Sequence, residues 1–300
     1  MFQHLVVPVD LSTASFRAVP IAAEMVARVG GRVDVVNVVD RLADVPLARD
    51  ALALGMTALG ALPVPVRQLV LTGPTPSVAL DRHLAENPGT LVAMSSHGHG
   101  RSAAVLGSTV DEVLRATYGP VIVFGPHVTS GRVDGTYVVP LDGSDRAASV
   151  LPIVGAWAVE FHATAWLVEV LDQDPPPAGS GLVESSVVRR RAERLAQVSG
   201  VDVEFEVLHG PHAAREVIRF AESQNASLIF MTTHGRTGFD RLAAGSIAAD
   251  TIRHAHVPIV LYRPPELASA PEHAPAHGTP RVRDLPRRSP AAGRQITTSG

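Results

Sequence analysis

The feature that most constrains this chain is that its sequence occurs twice. LVVPVDLS, Leu5 to Ser12, reappears as YVVPLDGS, Tyr137 to Ser144. Pro8, Asp10, Ser12 and Pro20 recur as Pro140, Asp142, Ser144 and Pro152, an offset of 132 (140 − 8). Gly73-Pro74 and His97-Gly98 recur as Gly210-Pro211 and His234-Gly235 at an offset of 137 (210 − 73). Gly107-Ser108 recurs as Gly245-Ser246 at 138 (245 − 107). An offset that grows in small steps marks a duplication with short surface insertions. With 300 residues to share, each copy has the length of an ordinary single domain.

Each copy alternates short apolar runs with helical stretches. In the first, Leu5–Val9, Val33–Val39, Val66–Leu71, Thr90–Ser95 and Val121–Phe124 read as strands. Between them Ser12–Val29, Asp50–Leu62, Ser77–Glu86 and Ser108–Thr117 read as helices. The second copy repeats the strands at Val138–Leu141, Ala165–Leu171, Val203–Leu208, Ser227–Thr232 and Ile259–Tyr262. Continuous Val, Ile and Leu strands separated by helices predict an α/β fold with a five-stranded parallel sheet per copy, covered on both faces. Pro20 and Pro152 fall inside helical stretches and should interrupt them.

The domains are therefore expected at 1–127 and 136–264, with Pro126 to Gly135 a short polar linker. Residues 265–300 are rich in Pro, Ala, Arg, Ser and Thr without periodicity, the composition of a disordered tail. A net charge of −3 offers no basic face to nucleic acid or anionic lipid. The absence of cysteine excludes disulfides, thiolate metal sites and a thiol nucleophile. The opening MFQHLVVPVDLS reads as a first strand rather than a signal peptide, and no run approaches the ~20 apolar residues of a membrane span. A cytoplasmic protein is expected.

Ligands of open parallel sheets bind beyond the carboxyl ends of the strands, where strand order reverses. Two features converge there in each copy: Asp10 or Asp142 after strand one, and a glycine-bearing loop after strand four that opens a helix at Gly107-Ser108 or Gly245-Ser246. Glycine lets backbone approach a phosphate, and a helix N-terminus favours an anion. A plainer reading stands beside this one. Ser108 with Asp111 fits a capping box, and the serines after Asp10 and Asp142 could cap helix one.

The glycine run after strand four, with an aspartate after strand one, resembles the universal stress protein domain, whose mark is G-x2-G-x9-G-[ST]. The second copy has Gly235, nine residues, then Gly245-Ser246, with Thr232 in place of the first glycine. The first has Ser95 there and eight residues between Gly98 and Gly107. The resemblance implies a Rossmann-like, adenine-nucleotide-binding type of α/β domain that holds ATP, with or without Mg2+. Carried over residue by residue, the second site is Pro140, Asp142, Val170, Met231, Gly235, Gly245, Ser246 and Ile247. The first is Pro8, Asp10, Val38, Met94, Gly98, Gly107, Ser108 and Thr109. Family members also commonly pair through their fifth strands, so Val121–Phe124 is expected to meet Ile259–Tyr262 within the chain, with homodimerisation of the whole chain left open.

Catalysis has little sequence support. The loops lack the G-x4-G-K-[ST] phosphate loop and the G-x-S-x-G nucleophile elbow. His97-x-His99 and His254-x-His256 could pair as metal ligands but lack an evident third, so no metal is expected. Arg189-Arg190-Arg191 reads as the solvated face of a helix. The functions left standing are an ATP-binding regulatory protein of the stress response, an interaction scaffold that binds no nucleotide, and a slow ATPase. Of the two sites the second, with the family spacing, is expected to be the better.

Overall fold

A computed structural model describes residues 3–96, 107–117, 119–172, 186–233 and 245–264. The first repeat holds strands β1 (His4–Pro8), β2 (Arg32–Val39), β3 (Val66–Thr72), β4 (Thr90–Ser95) and β5 (Pro120–Phe124). Its helices are α1 (Thr13–Phe16), α2 (Ala18–Ala27), α3 (Val45–Leu59), α4 (Pro76–Glu86) and α5 (Ser108–Ala116). The second holds β6 (Thr136–Leu141), β7 (Thr164–Leu171), β8 (Val203–His209), β9 (Ala226–Thr232) and β10 (Ile259–Tyr262). Its helices are α6 (Asp145–Ala148), α7 (Leu151–Phe161), α8 (Ser186–Ser199), α9 (Ala213–Ser223) and α10 (Ser246–His254). The tail expected at 265–300 lies outside the described residues.

The strands form one sheet in the order β3-β2-β1-β4-β5-β10-β9-β6-β7-β8. Within each repeat every pairing is parallel; the repeats join through the antiparallel pair β5·β10. Ile122 faces Val260, its own counterpart at offset 138 (260 − 122). On either side Val123 faces Ile259 and Val121 faces Leu261, so each partner is the other's equivalent. That exchange is the signature of a pseudo-twofold axis passing between Ile122 and Val260. The fifth strands thus meet as expected, and two apolar edges are closed.

Alternation along the strands sends side chains to opposite faces. Leu5 and Val7 join one apolar cluster with Val19 and Met25 of α2, while Val6 joins another with Val110 and Leu114 of α5. The first cluster continues across β5·β10 to Tyr137, Trp157 and Phe230.

The first long helix is interrupted in both repeats, and the prolines account for it. The helix breaks at Arg17, and Pro20 then sits in the first turn of α2, where its missing N–H has no intrahelical carbonyl to serve. In the second repeat Pro152 sits one position earlier in its helix, second in α7. The helix expected at Asp50–Leu62 instead runs Val45–Leu59, with Pro46 opening it and Gly60 ending it at φ 73.

The segment Pro126–Gly135, expected as a polar linker, is packed against the first repeat. Val128 and Val133 are buried. Glu24 accepts from the Gly131 N–H at 2.6 Å and the Ser130 hydroxyl at 3.1 Å. Any Cβ at Gly131 would meet the Ile21 carbonyl oxygen, so this close approach requires glycine.

Candidate functional site

Strand order reverses between β1 and β4 in the first repeat and between β6 and β9 in the second. A crevice lies at the carboxyl end of each such pair. The first, of about 160 Å3, is lined by Pro8, Asp10, Val38, Met94, Gly107, Ser108 and Thr109, together with Ser15, Asn37, Pro76, Ser95 and Ser96. The second, of about 300 Å3, is lined by Pro140, Asp142, Val170, Met231, Gly245, Ser246 and Ile247, together with Ala147, Ala213, Thr232 and Thr233. The structure therefore gathers seven residues of each carried-over set around one cavity. The remaining one of each, Gly98 and Gly235, lies outside the described residues.

The aspartate turns are near copies. Asp10 Oδ1 accepts from the Ser12 N–H at 3.0 Å and its hydroxyl at 2.5 Å. Asp142 Oδ1 accepts from the same groups of Ser144 at 3.0 and 2.6 Å. Each serine then caps the next helix, accepting from Ser15 N–H or Ala147 N–H at 3.1 Å. The capping reading thus holds for the serines. The aspartates brace the turn through one oxygen while lining the cavity.

The other wall differs from the capping-box expectation. Gly107, not Ser108, is the N-cap of α5, and Gly245 is the N-cap of α10; neither helix has a side-chain cap among the described residues. Ser12, Thr75 and Ser144 do cap their helices with a side chain. Helix starts without side-chain caps, facing a crevice, suit an anion. Gly107 N–H donates to the Ser96 carbonyl at 3.0 Å, and Gly245 N–H to the Thr233 carbonyl at 2.6 Å, tying each helix start to its strand end. Both glycines have negative φ, so left-handed backbone is not the reason for glycine here. Close approach is: a Cβ would stand 3.2 Å from Ser96 O or 3.3 Å from Thr233 O.

Sequence reasoning missed several lining residues. Asn37, a polar residue inside the apolar run of β2, is buried and donates to the Val9 carbonyl at 2.8 Å. Thr233 is fully buried on the second cavity and its hydroxyl has no partner among the described residues. The polar residue in a valine strand was a visible signal for Asn37; Thr233 carried none. His254 lies 3.4 Å from Asp250 and His256 lies 3.0 Å from Glu222, so the two serve separate carboxylates. Among the described residues no group of three His, Cys, Asp or Glu could hold a metal ion.

A sequence model of the universal stress protein family matches residues 1–125 and again residues 136–263. The chain belongs to the universal stress protein family. It is similar to a universal stress protein of Methanocaldococcus jannaschii, 32% identical over 140 residues, covering 43% of this chain and 82% of that one. A universal stress protein of Synechocystis is 31% identical over 161 residues, covering 53% of this chain and 52% of that one. In fold the chain is similar to a universal stress protein from Archaeoglobus fulgidus, with a TM-score of 0.62 at 21% identity over 87% of this chain and 98% of that one. A putative universal stress protein from Pseudomonas aeruginosa UCBPP-PA14 has a TM-score of 0.57 at 16% identity over 89% and 95%. These structural likenesses show the fold: two tandem universal stress protein domains built as α/β sheets. Among the described residues no helix is long and apolar enough to cross a membrane.

Proposed function

We propose that the protein binds adenine nucleotide, ATP above all, as a regulatory member of the stress response with little or no turnover. One observation carries the reading. In each repeat the crevice at the reversal of strand order has an aspartate on one wall and, on the other, a glycine-led helix start without a side-chain cap. The aspartate can accept from an adenine amino group or ribose hydroxyl, and the helix N–H groups can receive phosphate oxygens.

The scaffold reading has one observation of its own. Leu42, Leu47 and Leu54, on and beside the outer face of α3, are 78%, 74% and 74% exposed, an apolar surface free to meet another protein.

Mass spectrometry of small molecules released on denaturing the purified protein separates the two readings. Calorimetric titration with ATP adds the affinity, and Gly245→Val should abolish the stronger binding by moving the start of α10 off the Thr233 carbonyl. Equal ATP affinity in that variant would refute the phosphate assignment. A turnover assay on ATP addresses the ATPase alternative.

A further inference from the structure

We propose that Arg191 is the positioning residue of the second nucleotide site, holding in place the loop that presents Asp142; this rests on the nucleotide reading above. The arginine run of α8 is not wholly a solvated face. Arg189 and Arg190 are exposed, but Arg191 turns inward, with its side chain only 16% exposed. Its Nη2 donates to the Gly143 carbonyl at 2.9 Å and to Asp145 Oδ1 at 3.2 Å. Those acceptors flank Ser144, whose N–H and hydroxyl hold the Asp142 carboxylate. One guanidinium nitrogen therefore pins both sides of the turn that aims Asp142 at the cavity.

Of these contacts only the bond to the Gly143 carbonyl stands to add much stability. Asp145 is fully solvated, so its pairing with Arg191 contributes little. Arg191 Nη1 is buried with no acceptor among the described residues, which costs stability rather than adding it. What the contact supplies is position. Gly143, at φ 82, has no side chain with which to anchor the turn. The first repeat meets the same need by other means, for Leu11 occupies that place and packs against the apolar core. An apolar plug fixes one aspartate turn and a guanidinium clamp fixes the other.

The test is ATP calorimetry on the full chain in an Asp10→Ala background, so that the second site is read alone. Arg191→Ala should weaken ATP binding by about tenfold, the scale of losing a hydrogen bond from a charged donor. Arg191→Lys, able to reach one of the two acceptors, should recover part of the loss. Amide exchange over residues 142–147 should quicken in Arg191→Ala by more than it does in the rest of the second repeat. The first site, read in an Asp142→Ala background, should not respond. Affinity within twofold of the parent in Arg191→Ala, with Asp142→Ala abolishing second-site binding, would overturn the clamp and leave the nucleotide reading standing. Equal losses at both sites, or exchange quickened equally throughout the second repeat, would also overturn it by making the role merely structural. If Asp142→Ala itself changes nothing, the nucleotide reading fails, and the clamp with it.

Discussion

Leu11 and Gly143 stand at the same place in the two repeats, 132 residues apart (143 − 11), and both take left-handed backbone, φ 65 and φ 82. A leucine resists that conformation because its Cβ crowds the carbonyl; a glycine does not. The turn after strand one is thus strained in the first repeat and relaxed in the second, beside the proposed nucleotide-binding aspartate in each. Gly143→Ala should import the strain without the compensating leucine packing, lowering stability by about 1–2 kcal/mol. Urea unfolding measures it, and an unchanged or higher midpoint would contradict the conformational account.

The two sites should bind unequally. The α10 start has no acidic residue in its first turn, whereas α5 carries Asp111 there, which weakens the pull on a phosphate. Arg115 pairs with Asp111 at 3.1 Å and offsets part of that difference. The second repeat also keeps the nine-residue spacing between Gly235 and Gly245. Asp142→Ala should therefore lower ATP binding far more than Asp10→Ala, by about tenfold on the summed small terms. Comparable losses by calorimetry, or a greater loss from Asp10→Ala, would reverse the ranking.

Most of the fold was legible because buried parallel strands must be apolar runs, and the duplication let each repeat check the other. The candidate cavities were legible for a related reason: strand order and the repeated aspartate and glycine point to one edge of the sheet. What escaped was set by tertiary contact. Arg191 sits in a charge run whose neighbours are solvated, and nothing local distinguishes the arginine that turns inward. The buried His4, Asp34 and His83, with the exposed Arg67 reaching in to Asp34, come from four separate elements. Their one local trace was an aspartate inside the valine run of β2. The packed linker likewise depends on Glu24, more than a hundred residues away in sequence from its partners.

That cluster around Asp34 should make the first repeat sensitive to acid. Asp34, fully buried on β2, is bridged by Arg67 of β3, with Nε 3.1 Å from Oδ1. His4 Nε2 of β1 lies 2.9 Å and His83 Nε2 of α4 3.7 Å from its other oxygen. His4 Nδ1 faces Arg32 of β2 at 3.2 Å and the Thr90 hydroxyl of β4 at 2.8 Å. Burial holds His4 below its ordinary pKa, despite Asp34 beside it. Asp34 is also held low: burial alone would raise it, but Arg67 and His4 overcome that. As pH falls through the ordinary histidine value of ~6.5, the unfolded chain takes up a proton before folded His4 does, and stability drops. Asp34 adds a second loss below the ordinary aspartate value of ~3.9, as its folded pKa is approached. The corresponding second-repeat positions of Asp34 and His83, Trp166 (34 + 132) and Phe220 (83 + 137), form an aromatic pair with centroids 5.3 Å apart and cannot titrate. Hydrogen exchange at pH 7.5 and 5.5 should show the first repeat losing protection ahead of the second. His4→Thr, the residue the second repeat uses at Thr136, should flatten the pH dependence; an unaltered slope would clear His4 of the effect.

The junction between the repeats should be able to form between two molecules as well as within one. Val121, Ile122, Val123 and Phe124 are all buried, and what covers their edge is β10. Because Ile122 faces its own counterpart and Val121 and Val123 exchange partners, the β5 edge is complementary to itself. A chain ending at residue 135, after the packed linker, would expose an apolar strand with unpaired N–H and C=O groups. Two such chains can restore the strand pairing in the same register, with Ile122 opposite Ile122, by closing a true twofold axis. Residues 1–135 expressed alone should therefore sediment as a dimer at micromolar concentration, whereas the full chain has this edge already satisfied. Adding the second repeat, residues 136–264, as a separate polypeptide should convert that dimer into a one-to-one complex, because Ile259, Val260 and Leu261 present the same apolar edge. A monomeric fragment with native secondary structure at tens of micromolar would show that the edge pairs only when the linker holds the repeats together.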